Sequence, residues 1–239
     1  MRSPRHHAPL RRGFVLLELI VAIGILALVL SLGSAVEARG ERQSSGRANA
    51  DGQSSFQNLA AQYFLENRTA FESAMKDGTG ADTLCLINVP SSGVGGTQAN
   101  STTLKTCAFD TTFLKAKNLW PTNLSTDEVD GRWVIILRLV YDSQTPAQPT
   151  GGVEAFVPLM RTDGTLSAVG VDAQKMDEAL SAMRSLGGTG GVIPVGDAGM
   201  CANQRSSATY EACGNGWKVK LSDFIDSSQL AVFSNALPN

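Results

Sequence analysis

The longest apolar stretch of the chain runs from Phe14 to Leu32 and contains 19 residues, of which only Glu18 is charged. As a helix it would extend roughly 28 Å, close to the thickness of a bilayer's hydrocarbon core. A carboxylate inside such a helix costs about 2.5–3.5 kcal/mol, which marks it as functional. The pattern therefore predicts a membrane-spanning helix over residues 14–32, with a functional carboxylate, that of Glu18, near its start.

A polar segment and then a second apolar pattern follow over residues 33–75. No proline lies between Pro9 and Pro90, so helix can continue from the apolar run. Three glycines within residues 37–53 predict that this part of the helix is weak. Apolar residues then recur at helical spacing, which predicts a face docked on a sheet, or alternatively a separate partner groove: Phe56, Leu59, Ala60, Tyr63, Phe64 and Phe71.

Residues 76–239 have the pattern of a globular head. The clearest strand is Trp133–Tyr141, and 153–159 is its expected partner. Short strands are expected at 192–195 and 216–221, and helices at 109–119 and from Asp172 to Leu186. Strands gathered after a long helix predict an α+β fold, with the long N-terminal helix packed on an antiparallel sheet and a short extra helix.

The charge of the chain is unevenly distributed. The formal charge is −2, but residues 1–13 contain four arginines and no acid, so the remainder carries −2 − 4 = −6. A basic segment before an apolar helix predicts a cytoplasmic start and an exported body. The acidic body gives no reason to expect nucleic-acid binding.

Four cysteines lie on the exported side, and their even number in an oxidising compartment favours two disulfides over zinc binding. Proximity along the chain suggests Cys85–Cys107 and Cys201–Cys213, although four cysteines allow three connectivities. Zinc sites usually contain short C-x-x-C pairs, which are absent here.

Candidate catalytic chemistry is sparse. The two histidines, His6 and His7, precede the apolar run and would leave with a cleaved leader, so a Ser-His-Asp or Cys-His mechanism is excluded. The glycine-rich segment 187–191 follows an expected helix and lacks the Gly-Lys-Ser/Thr ending of a phosphate loop. We expect no enzyme activity, no cofactor and no metal site.

The segment Arg11-Arg12-Gly13-Phe14-Val15-Leu16-Leu17-Glu18-Leu19 resembles the start of type IV pilins and pseudopilins. The resemblance implies that prepilin peptidase removes leader 1–13 after Gly13, that Phe14 becomes an N-methylated first residue, and that Glu18 is its fifth-position assembly carboxylate. Its partners would be other pilin subunits, first in the inner membrane with the head in the periplasm and then in an extracellular pilus. An ordinary secretory signal explains neither the length of the apolar run nor Glu18.

The head resembles the pilin-like N-terminal region of shufflon-type PilV minor pilins. That resemblance implies a minor or tip subunit in conjugation or adhesion, which could contact a ligand on a recipient-cell surface. The 13-residue leader and Phe14 look more like type IVa pilins or secretion pseudopilins, and the chain stops soon after Phe224, with no room for a long adhesive segment. The motifs that carry the PilV resemblance begin at Phe113, Gly131, Val153, Leu186 and Trp217.

Overall fold

The computed structural model of the chain describes residues 40–41, 43–121, 131–144, 147–161, 173–192 and 211–225. The predicted leader 1–13 and the apolar run 14–32 lie outside these ranges. Within the described ranges, no helix combines the length and the apolar character that crossing a bilayer requires. The chain divides into two compact units, Met1–Arg42 and Gln43–Asn239, and the second contains all the strands described below.

Two consecutive helices form the N-terminal part of the second unit. Helix α1 covers residues 43–66 and α2 covers Arg68–Lys76. They are separated at Asn67, whose side-chain amide donates to the carbonyl oxygen of Tyr63 at 2.9 Å. The predicted helical region 33–75 is therefore interrupted by one residue in its described part. The glycine-rich residues 43–53 are helical.

The other helices are short, except for the last. They are α3 (Ala81–Leu84), α4 (Thr111–Ala116) and α5 (Ala173–Leu186). The prediction of helix from residue 109 was two residues too early, because Phe109 is the buried fourth residue of a strand that ends at Asp110. The strands are β1 (Leu86–Ile87), β2 (Thr97–Gln98), β3 (Asn100–Ser101), β4 (Thr106–Asp110), β5 (Gly131–Tyr141), β6 (Pro149–Phe156), β7 (Leu159–Arg161), β8 (Gly191–Val192), β9 (Glu211–Gly214) and β10 (Trp217–Lys220).

The central sheet has the order β3-β4-β5-β6, and β7 also pairs with β5. Every described strand pair is antiparallel, so the predicted α+β class with an antiparallel sheet is confirmed. The predicted pairing of the 133–141 strand with the 153–159 segment is also found, with Ile136 opposite Phe156 and Leu139 opposite Val153. A second sheet has the order β8-β9-β10, and β1 pairs with β2 in a third.

One face of the central sheet is covered by helices α1 to α4. Alternate residues of β5, among them Ile135 and Leu137, point into this core, as does Phe109 of β4. The apolar stripe of α1 and α2 meets them, and Phe56 and Phe71 are fully buried there. The prediction that this stripe docks on a sheet is confirmed.

The opposite face of the central sheet is covered as well. Val134 and Ile136 of β5 pack with Ala212 of β9 and with Phe224 and Ile225, which follow β10. Arg138 connects this cover to β5, because its guanidinium donates to the Asp223 carbonyl oxygen at 2.9 Å and lies 4.6 Å from the Phe224 ring centroid. Residues 133–137 of β5 are therefore buried on both sides, which explains why they form a continuous apolar run rather than an alternation.

Candidate functional site

The predicted processing and assembly residues Gly13, Phe14 and Glu18 lie outside the described residues. Of the cysteines, Cys85 and Cys107 form a disulfide with a Cα–Cα distance of 5.1 Å, as the sequence predicted. Cys213 is also disulfide-bonded, whereas Cys201 lies outside the described residues, so its pairing with Cys213 stays a prediction.

The strand that contains Cys107 ends at a buried carboxylate, that of Asp110. Both residues of the Cys85–Cys107 bridge and Asp110 are fully buried. Asp110 ends β4 and caps α4, since its Oδ1 accepts from the backbone N–H of Phe113 at 3.0 Å. The same oxygen accepts from the Thr112 hydroxyl at 2.5 Å.

The second oxygen of Asp110 holds the segment that follows β1. Oδ2 accepts from the backbone N–H of Asn88 at 3.0 Å, and the next N–H, that of Val89, donates to Thr112 Oγ1 at 2.8 Å. Asn88 has a φ of 56°, a left-handed conformation that asparagine tolerates better than most residues. We call Asp110, Thr112, Asn88 and Val89 the cap cluster. Both oxygens of the Asp110 carboxylate accept hydrogen bonds from the protein. The cap cluster therefore has a structural role, since it connects the segment after β1 to the end of β4 and the start of α4.

A second polar contact joins α1 to α5. The Oε1 atom of Glu178 accepts from the Ser45 hydroxyl at 2.5 Å and from the Asn49 side-chain amide at 2.6 Å. One turn further along α5, the Ser181 hydroxyl donates to the backbone carbonyl of Gln43 at 3.4 Å. The glycine-rich start of α1 is therefore held by side chains 129 to 138 positions away.

Gly46 lies at the centre of this contact and is buried. A Cβ at that position would be 2.6 Å from Ser181 Cβ and 2.7 Å from the backbone oxygen of Glu178. Only glycine allows the two helices to approach this closely. By contrast, a Cβ at Gly40 would meet nothing within 4 Å.

The glycine-rich segment 187–191 supports Trp217. The indole N–H donates to the carbonyl oxygen of Gly188 at 3.0 Å. The ring lies so close to Gly191 and Gly214 that a Cβ at either position would collide with it. These glycines therefore allow an aromatic ring to pack against backbone.

Tyr63 and Asp77 are titratable groups with shifted pKa values in the described part of the chain. No group of three or more His, Cys, Asp or Glu side chains there is arranged to hold a metal ion. Burial raises the pKa of Tyr63, and hydrogen bonds from Thr79 lower the pKa of the exposed Asp77. These two groups belong to the aromatic core and to a surface turn, respectively.

Sequence reasoning missed the roles of Asp110 and Glu178. The capping role of Asp110 could have been predicted from the sequence, because an aspartate directly before Thr111-Thr112-Phe113 is a typical helix N-cap. The role of Glu178 could not have been predicted from the sequence, because its partners Ser45 and Asn49 are distant along the chain and belong to a polar segment without a recognisable motif.

No family model, no curated protein and no solved structure matches this chain. Its function must therefore be inferred from its own residues.

Proposed function

We propose that this protein is a structural subunit of a type IV pilus. A single observation carries the proposal: Glu18 stands five positions after Gly13, inside a 19-residue apolar run that a basic segment precedes. Cleavage after Gly13 would place an α-amino group on Phe14, one helical turn from Glu18. An ordinary membrane anchor gives that costly carboxylate no role.

The pairing of Glu18 with the Phe14 amine gives the proposal its physical content. Opposite charges attract strongly in a low-dielectric surrounding, and a carboxylate left unpaired there costs several kcal/mol. If the amine belongs to a neighbouring subunit, the pair sets the axial position of one helix against the next. Cleavage then does more than shorten the chain, because it creates the cation that the carboxylate needs.

The described part of the protein supports this proposal in two respects. An N-terminal helix, α1, docks through its aromatic face on an antiparallel sheet, as expected of a pilin-like head. The Cys85–Cys107 disulfide fits an oxidising compartment, and therefore an exported head. The proposed course is insertion in the inner membrane, cleavage by prepilin peptidase, N-methylation of Phe14 and assembly with other pilin subunits into an extracellular filament.

The mass of the mature N-terminus tests processing. In cells that contain prepilin peptidase, we expect a protein that starts at N-methylated Phe14, and in cells without the peptidase the uncleaved chain. The sequence Val36-Glu37-Ala38 weakly matches an ordinary signal-peptidase site. A mature protein that starts after Ala38, or anywhere other than Phe14, would overturn the proposal.

Assembly is tested separately with Glu18→Ala. We expect this variant to be inserted and cleaved normally but to be absent from sheared filaments, because the lost pairing acts between subunits. Glu41→Ala is the matched control, since Glu41 is an exposed acid on helical backbone. If Glu18→Ala enters filaments in the same amount as Glu41→Ala, Glu18 has no role in assembly.

A pseudopilin of a type II secretion system is the alternative that the short leader and Phe14 favour. It shares the processing and assembly steps and differs in the machine that it joins. Co-purification decides between the two: a pilus subunit is recovered with sheared surface filaments, and a pseudopilin with the cell envelope. Within the pilus proposal, the PilV resemblance favours a minor or tip position, where the head could bind a recipient-cell surface.

A further inference from the structure

The inference concerns α5 and the glycine-rich residues 43–53 of α1, which together form a contact of unusual composition. The residues that touch across it are Ser45, Gly46 and Asn49 on one side, and Glu178 and Ser181 on the other. All five are small or polar. Among the described side chains of α5, residues 178–186, none belongs to either apolar cluster that packs the central sheet.

Both partners in this contact are weak alone. Residues 43–53 contain Gly46 and Gly52, which lower helix propensity, and most of their side chains are polar. An isolated helix of 14 residues, the length of α5, is marginal in water, and tertiary contacts normally supply its stability. Residues 43–50 have no side chain in either apolar cluster, whereas Gly52 lies against Trp133 and Gln53 donates to the Val157 carbonyl oxygen at 2.8 Å. The contact with α5 is therefore what stabilises the first two turns of α1, and the first turns of α1 stabilise α5 in return.

From this geometry we propose that α5 is a releasable clasp on α1. When it is docked, Glu178 and Ser181 hold residues 43–53 in a helix. When it leaves, the glycine-containing turns lose their partner and unwind, while residues 56–66 stay helical because Phe56 and Ala60 remain buried in the core. The free energy needed to undock α5 from α1 is then set by a few polar contacts rather than by the core. The protein therefore has a conformational switch that can open while the core stays folded. The clasp does not depend on the pilus proposal.

Hydrogen exchange of the full chain in detergent micelles measures this switch directly. In the unmodified protein, we expect residues 43–53 and 178–186 to exchange at similar rates, at least tenfold faster than β4 and β5, because weakly packed units open independently of the core. Exchange of both segments as slowly as β4 and β5 would overturn the clasp.

Glu178→Ala tests the coupling between the two helices. Alanine is at least as good a helix former as glutamate, so any loss of α5 helix must come from the lost contact. We expect exchange to accelerate about tenfold in both segments and to stay unchanged in β5. Glu72→Ala is the control, since that acid forms only an exposed pair with Arg68. Acceleration confined to α5 would show that α5 does not hold α1, and would refute the proposal.

Gly46→Ala tests whether the close approach of the two helices holds α5 in place. The new Cβ collides with Ser181 and expels α5, so exchange over 178–186 should accelerate about tenfold, although alanine improves the helix propensity of α1. Gly40→Ala adds the same methyl group where no atom lies within 4 Å, and it should leave α5 unchanged. If residues 178–186 exchange hydrogen at the same rate in Gly46→Ala and in Gly40→Ala, the close contact at Gly46 is not the basis of the clasp. Glu178→Ala, which adds no atom, decides the matter if Gly46→Ala does not fold.

Discussion

At the scale of single residues, Asp110 combines several structural tasks. It ends β4, caps α4 and holds the N–H of Asn88. Buried carboxylates are costly unless their oxygens accept hydrogen bonds, and here both do. Through the cap cluster, one carboxylate therefore connects three segments of the chain: the end of β4, the start of α4 and the residues after β1.

Removing that carboxylate gives a prediction at this scale. Asp110→Ala should lower the free energy of unfolding by about 2–4 kcal/mol, because it removes a helix cap and leaves buried donors without a partner. Thermal unfolding of the full chain in detergent, followed by near-ultraviolet circular dichroism, measures the loss. Asp110→Asn keeps one acceptor oxygen and should lose less. A change below about 0.5 kcal/mol in Asp110→Ala would contradict the role given to the cap cluster.

At the scale of elements, the Cys85–Cys107 disulfide links the segment between α3 and β1 to β4. The two cysteines are 22 positions apart, and β1, β2 and β3 lie within the closed loop. Closing a loop of this length stabilises a fold by about 3 kcal/mol, chiefly by restricting the unfolded chain.

Replacing both cysteines tests this contribution. Cys85→Ala combined with Cys107→Ala should lower stability by about 3 kcal/mol, measured as above under oxidising conditions. Adding a reductant to this double variant then reports on the disulfide of Cys213 alone. If the double variant unfolds at the same temperature as the unmodified protein, the bridge has no stabilising role.

Elements also show what the sequence can predict and what it cannot. Strand β5 was predictable because its apolar run is long and rich in β-branched residues, and the α1 stripe was predictable from its helical period. These signals are local. The contact of Glu178 with Ser45 and Asn49 was not predictable, because its spacing of about 130 residues leaves no local pattern. The role of Gly46 was missed for the same reason: a glycine that weakens a helix and a glycine that admits a neighbouring helix look alike in sequence.

At the scale of the whole molecule, the central sheet lies between two different covers. Helices α1 to α4 cover one face, and β9 with residues 224–225 covers the other. Adjacent residues of β5, Ile135 and Ile136, therefore point into different cores, and each is at most 3 % exposed.

This arrangement predicts that neither face of β5 tolerates truncation. Ile135→Ala and Ile136→Ala should each cost about 2–5 kcal/mol, the usual range for a buried isoleucine. Leu65→Ala is the control, since Leu65 is 66 % exposed and its truncation should change stability by less than about 0.5 kcal/mol. The thermal unfolding measurement used for Asp110 applies here. A near-neutral Ile136→Ala would mean that the second cover contributes little to stability.

The two covers become available at different times during synthesis. Strand β5 ends at Tyr141, after all four helices that cover one of its faces, but Ile225 of the other cover follows 84 positions later. At ribosomal speeds of 5–20 residues per second, roughly 4–17 s separate these points. Until residues 212–225 have been made, Val134 and Ile136 lack the side chains of β9 and of residues 224–225 that bury them in the folded protein. The second cover therefore makes the burial of β5 dependent on a segment that is synthesised late.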